Sequence, residues 1–146
     1  MRRYGYLVVE GPHDVEFVAR LLKTHDFHRV QHLRDLEQFW ERLVPRTFPP
    51  DGDLLKRVPI PTFFQNSTHS IAVHAAIGES AMIKRLEESR AALSDETSIS
   101  SYGLILDADT KETPQQRFAK LIAELRSQAS SSRGGQFKTR SRTIVG

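Results

Sequence analysis

The sequence predicts an α/β fold built on a largely parallel sheet. Three observations predict it. Short apolar runs recur that are continuous rather than alternating, the pattern of strands buried on both faces. Each of the clearest ones is followed by a helix-period segment. And the turns between them carry Gly-Pro, Gly-Glu-Ser or Thr-Pro, chemistry that ends a strand and starts a helix. Alternation of this kind builds βαβ units around a parallel sheet.

Tyr4 to Val9 reads as the first strand, stopped by Gly11-Pro12. Pro12 fits the first turn of a helix, where its missing N–H costs nothing. Val15, Val18, Leu21 and Leu22 recur at helical spacing, with Phe17 beside them, so a helix is expected over Pro12 to Lys23. Phe27 to Leu33 holds a weak second strand. Asp35 is expected to cap a helix carrying Leu36, Phe39, Trp40 and Leu43, which stops near Pro45. Residues 45–61 contain five prolines and read as an insertion, with one turn expected at Leu54-Leu55. Ile60 to Gln65 and Ile71 to Ala76 read as two strands around the polar turn Asn66-Ser67-Thr68-His69. Ile77-Gly78-Glu79-Ser80 is a strand-to-helix turn, with Ser80 expected to cap a helix carrying Met82, Ile83, Leu86 and Leu93. A polar loop over Ser94 to Ser101 precedes a strand from Tyr102 to Leu106. Thr113-Pro114 marks the last helix, with Phe118, Leu121, Ile122 and Leu125 on one face. Residues 127–142, rich in Ser, Gly and Arg, are expected to be a flexible basic stretch. Thr143-Ile144-Val145-Gly146 reads as the start of a strand, which sets the expectation that the chain is C-terminally incomplete. The 146 residues are expected to form one domain.

Composition narrows the function classes. Hydrophobic residues make up 38%, and no apolar run approaches the roughly 20 residues of a membrane span. Cysteine is absent, which excludes a disulfide framework and thiolate metal sites. With only about four apolar residues between the first charges and Glu10, a signal peptide is not expected, and a cytoplasmic location fits. The formal charge is +3, but all five charged residues after Glu124 are bases: Arg126, Arg133, Lys138, Arg140 and Arg142. Removing them leaves −2 for residues 1–124. A basic arm of this kind suits a polyanion such as nucleic acid.

The chemistry concentrates at two strand ends. Glu10 follows the first strand directly, and Asp14 sits three residues past Gly11. Asp107 and Asp109 close the strand from Tyr102. Ligand sites in open parallel sheets lie beyond the carboxyl ends of the strands. If the two strands are neighbours, Glu10, Asp14, Asp107 and Asp109 converge, and a divalent cation would relieve their repulsion. Hard oxygen ligands suit Mg2+ or Mn2+. Such a site favours phosphoryl chemistry; Glu10 could alternatively act as a general acid or base, and Lys111 could contact a phosphate. His13 is placed at the site or in solvent. His69, His74 and Trp40 read as structural, and Lys84 and Arg85, which follow the Gly78 turn, could reach a phosphate. Aspartate after a strand is also a common turn and capping residue, so it is the pair of acidic strand ends together that points to a site.

Val8-Val9-Glu10-Gly11-Pro12-His13-Asp14-Val15-Glu16-Phe17 resembles the first motif of the Toprim (topoisomerase–primase) domain superfamily. Leu104-Ile105-Leu106-Asp107-Ala108-Asp109 resembles its D-x-D motif. The likeness covers residues 4 to about 125. Within the superfamily, the E-x-x-x-D form and the Gly78-Glu79-Ser80 turn most resemble the Toprim domains of overcoming-lysogenization-defect (OLD) type nucleases and their small stand-alone relatives. The resemblance implies a Toprim-like, Rossmann-like sheet and an Mg2+-dependent nuclease acting on DNA or RNA. Glu10 would be ligand or general acid/base, and Asp14, Asp107 and Asp109 would be metal-linked. Lys111, Arg133, Lys138, Arg140 and Arg142 are candidates for binding nucleic acid. An ATPase or another protein is a further expected partner, since OLD-type nucleases carry an ATPase domain and no G-x-x-x-x-G-K-[ST] pattern occurs here. The competing expectation is a non-catalytic module of the same fold that binds nucleic acid or a partner within a larger complex. A phosphatase of the haloacid-dehalogenase kind is disfavoured, because its D-x-D comes early in the chain.

Overall fold

A computed structural model describes residues 2–47, 52, 60–93, 99–107 and 112–131. The chain divides into two compact units, Met1–Asp107 and Ala108–Gly146. The first contains a five-stranded mixed sheet with two α-helices. In chain order its elements are β1 (Arg3–Val9), α1 (Pro12–Lys23), β2 (His28–Arg29), two short 3-10 segments (Leu33–Asp35 and Gln38–Leu43), β3 (Thr62–Gln65), β4 (His69–Ala75), a 3-10 turn (Glu79–Ala81), α2 (Met82–Ala92) and β5 (Ile99–Ile105). The second unit contains α3 (Pro114–Ser131).

The strand order is β2-β3-β4-β1-β5. β1 lies between β4 and β5 and runs parallel to both. β3 is antiparallel to β2 and to β4, so among the described strands it alone runs against the rest. The β3–β4 reversal is a tight hairpin. The Asn66 side-chain oxygen accepts from the N–H groups of Thr68 and His69, at 3.0 and 2.8 Å, and so supplies the turn's bonds locally.

Side chains alternate across a strand, and the two faces of the sheet have different covers. Leu7 and Val9 of β1, Ile71, Val73 and Ala75 of β4, Phe64 of β3 and Ile105 of β5 share one cluster with Val15, Val18 and Leu22 of α1. On the opposite face lie Tyr6 and Val8, both fully buried. Tyr6 bonds Ser89 of α2 there, Oη to Oγ at 2.5 Å, and Met82, Ile83 and Leu86 bury the same side of that helix. α1 and α2 therefore cover opposite faces, as the expected α/β pattern requires. Each fully buried aliphatic contributes about 1.5–3 kcal/mol.

Several expectations are corrected. Asp35 caps no α-helix: it ends the first 3-10 segment, and Leu36 and Glu37 that follow are extended. The aromatic cluster overrides helix periodicity here. Glu37 is held by Arg2 and by the Tyr4 hydroxyl, the latter at 3.2 Å. Tyr4 stacks on Phe39 at 4.1 Å, and the Trp40 indole donates to Ser70 Oγ at 2.8 Å. Spacing of three residues fits a 3-10 turn as well as an α-helix. Ser80 does not cap α2 either. The N-cap is Ala81, without a side-chain bond, because the chain has already begun to turn where Ala81 N–H reaches Gly78 C=O at 3.2 Å. Leu21 and Phe17 of α1 are exposed rather than core. β5 starts at Ile99, inside the segment expected to be a polar loop; Ser100 and Ser101 are exposed, Ser101 pairs with Gly5 of β1, and Ser100 stands at the register shift between Tyr4 and Gly5. α3 continues through Ser131, past the expected start of the flexible stretch at 127. Most of the Pro-rich insertion, including Leu54-Leu55, and residues 132–146 lie outside the described residues.

Candidate functional site at the carboxyl edge of the sheet

The β1–β5 pairing settles where the acidic strand ends stand. The strands are parallel and Val9 pairs with Ile105. Neighbouring strands are about 4.8 Å apart, so Glu10, one residue beyond Val9, and Asp107, two beyond Ile105, emerge from adjacent strands at the same sheet edge. β4 ends there too, with Ala75 paired to Val9. Its following turn is fastened to the β1 exit by two main-chain bonds: Ala76 N–H to Val9 C=O at 2.9 Å and Gly78 N–H to Glu10 C=O at 3.0 Å.

Glu10 and Asp14 are half-buried, and Asp107 and His13 are exposed. Asp14 has a structural task as well. Its Oδ2 accepts the Gly11 N–H at 2.8 Å, while Asp14 N–H reaches back to Gly11 C=O at 3.2 Å. Glycine has no side chain to complete the pair, so this is half a capping box. The carboxylate also lies in the first turn of α1, where the helix dipole favours negative charge. Pro12 stands at the helix start, as its fixed φ allows.

Three of the four carboxylates expected from the sequence are therefore described, and two stand on adjoining strand ends. Asp109 lies outside the described residues, as do Lys111, Arg133, Lys138, Arg140 and Arg142. Among the described residues, no three His, Asp or Glu side chains approach closely enough to hold a metal ion. The donor set itself, carboxylate oxygens alone, matches the hard-ligand preference of Mg2+ and Mn2+. Arg85 and Lys84 both lean on Glu88, at 2.9 and 4.0 Å, so their charges are occupied along α2. Two open grooves of about 290 and 310 Å³ lie elsewhere, beside β2 and β3, lined by residues such as His28, His32, Leu36 and Gln65.

Two features escaped the sequence. One is the buried polar cluster of Tyr6, whose hydroxyl lies 2.6 Å from His74 Nδ1 and 2.5 Å from Ser89 Oγ. Burial pushes the Tyr6 hydroxyl up to about 12. A tyrosine within an apolar run, with a histidine in another strand, was the available signal, but register was needed to join them. The other is Ile77, held at φ 61° beside Gly78 at φ 110°. The glycine announced a turn; nothing announced a left-handed isoleucine before it.

The family of proteins of unknown function DUF3226 has a model that matches residues 4–144. The chain belongs to that family. Comparison with curated proteins gives no match, and comparison with solved structures gives none. The matched span takes in both acidic strand ends and the turn after β4. Among the described residues, no helix is long and apolar enough to cross a membrane.

Proposed function

We propose that this chain is a Toprim-like, Mg2+- or Mn2+-dependent phosphodiester hydrolase, a nuclease acting on DNA or RNA at the carboxyl edge of β4, β1 and β5. The observation that carries the reading is the parallel pairing of β1 with β5, continuous from Gly5 to Val9. It brings the exits to Glu10 and Asp107 side by side, at the edge where α/β folds place their ligands. Glu10, Asp14, Asp107 and Asp109 are the proposed metal-holding set, and a bound cation would neutralise charge developing on the phosphodiester. Glu10, at the half-buried strand exit, is the residue proposed to hold or move the proton of the attacking water. α1 begins at Pro12 beside this edge, and its N-terminal dipole favours an anionic substrate. The basic residues Lys111, Arg133, Lys138, Arg140 and Arg142 are proposed to follow the nucleic-acid backbone. A cytoplasmic setting and a partner ATPase belong to the same proposal.

The cap formed by Asp14 favours a second reading, because it gives that carboxylate a role that needs no metal. In that reading the fold is a non-catalytic module that binds nucleic acid or a partner protein.

Cleavage of single-stranded and duplex DNA and of RNA, with Mg2+, with Mn2+ and with chelator, separates the two. The first reading expects cleavage that requires the metal and is lost in Glu10→Gln and in Asp107→Asn. Metal-dependent cleavage that persists in both variants sinks the site. Salt-sensitive binding without cleavage under any metal favours the second.

A further inference from the structure

The turn after β4 carries two local costs on one residue. Ile77 is a β-branched residue with φ 61°, a region such residues avoid and where Asn or Gly would sit at little cost. Its side chain is also 73% exposed, so it gains almost nothing from burial. The conformation is imposed from both sides: Ala76 N–H bonds Val9 C=O, and Gly78 N–H bonds Glu10 C=O. Gly78, at φ 110°, supplies the second unusual backbone conformation of the same turn. The turn is thus locked to the exit of β1, and an apolar side chain stands in solvent on the turn bonded to the Glu10 main chain. Strain held by its surroundings is a recurrent feature of ligand-contacting turns.

We propose that Ile77 is a substrate-contacting residue. Its side chain packs against the base or sugar face of the nucleic-acid strand whose phosphate lies at the Glu10–Asp107 edge, and so fixes how that strand is seated. This rests on the nuclease reading given above. The contact is apolar, so it adds affinity without neutralising a phosphate.

The test uses the full chain and fluorescein-labelled single-stranded DNA and RNA oligonucleotides, with binding followed by anisotropy across a salt series. Ile77→Asn removes the apolar contact and suits the left-handed backbone. Its affinity is expected to fall about tenfold, the loss of part of one aliphatic burial. The slope of affinity against salt is expected to stay unchanged, because no phosphate contact is lost. The melting temperature is expected to rise by about 2–5 °C as strain is relieved. Ile77→Val, which keeps the apolar branch, is expected to retain the affinity. A raised melting temperature with unchanged affinity overturns the proposal and leaves Ile77 a strained turn residue only. A change of oligomeric mass in Ile77→Asn also overturns it, in favour of contact between copies. Failure of the nuclease reading is seen separately, as binding by the wild-type chain without cleavage under any metal, and failure of its site as cleavage that survives Glu10→Gln and Asp107→Asn. Absence of binding by the wild-type chain removes both.

Discussion

Strand β1 crosses two regions that treat polar groups in opposite ways. In its middle, Tyr6 is fully buried and its hydroxyl is satisfied by His74 and Ser89 at 2.6 and 2.5 Å. At its carboxyl end, Glu10 is half-buried, and Asp107 on the neighbouring strand is exposed. A buried polar group costs stability unless the fold itself supplies its partners. The Tyr6 hydroxyl meets that requirement inside the protein, which marks it as architecture. The carboxylates stand where solvent and ligand have access, and this difference is why the edge, rather than the buried triad, is the candidate for chemistry.

The comparison makes opposite demands on the two regions. Substitution of Glu10 or Asp107 should remove activity with little change in stability. Glu10→Gln is expected to lower metal-dependent cleavage by about 10²–10⁴-fold, the range for losing a positioned acid or base, while thermal unfolding shifts little. A large fall in melting temperature accompanying the lost activity would break the distinction. In the core the reverse holds. Trp40 is fully buried, donates to Ser70 and sits at 4.7 Å from Phe39, ring to ring. Trp40→Ala is expected to cost about 3–5 kcal/mol, measured by denaturant unfolding.

What could be read in advance follows the same division. The β1 run and α1 were legible to within one residue, because an apolar strand, a Gly-Pro break and a helical repeat agree at every level. The neighbourhood of Glu10 and Asp107 was legible as a condition, that the two strands adjoin, and the pairing of Val9 with Ile105 meets it. The 3-10 path from Leu33 to Leu43 was not legible, because it is set by Tyr4, Arg2 and Ser70, far away in sequence. β5 was read too short because Ser100 and Ser101 look like a loop, although Ser100 Oγ donates to Tyr4 C=O at 2.9 Å along the strand pair. Ile77 was hidden for a different reason: backbone strain leaves no mark in side-chain patterning.

Tyr6 sharpens the comparison through pH. Its hydroxyl is raised from 10.0 to about 12 chiefly by burial, so the folded state resists losing that proton more than the unfolded chain does. Stability from this residue is complete below pH 10 and is lost as pH rises from 10 towards 12. The two-unit difference corresponds to about 2–3 kcal/mol. Tyr6→Phe should abolish that alkaline slope and, at neutral pH, cost about 1–3 kcal/mol by taking a hydrogen-bond partner from the buried His74 and Ser89. A slope that persists in the variant would show that other groups titrate there.

The smallest expected effect lies in the second unit and probes whether local capping acts independently of the sheet. Thr113 Oγ1 accepts the Gln116 N–H at 3.2 Å, and Gln116 Oε1 accepts the Thr113 N–H at 2.9 Å, a reciprocal capping box at the start of α3. Thr113→Ala removes the threonine half and should cost about 1 kcal/mol. The signal belongs in hydrogen exchange: amides in the first turn of α3 should exchange faster by about fivefold for each 1 kcal/mol lost. Amides of β1 and β4, held by their own pairing, should keep their protection. Equal loss of protection in β1 amides would overturn the assignment of this cap as a local contribution to α3.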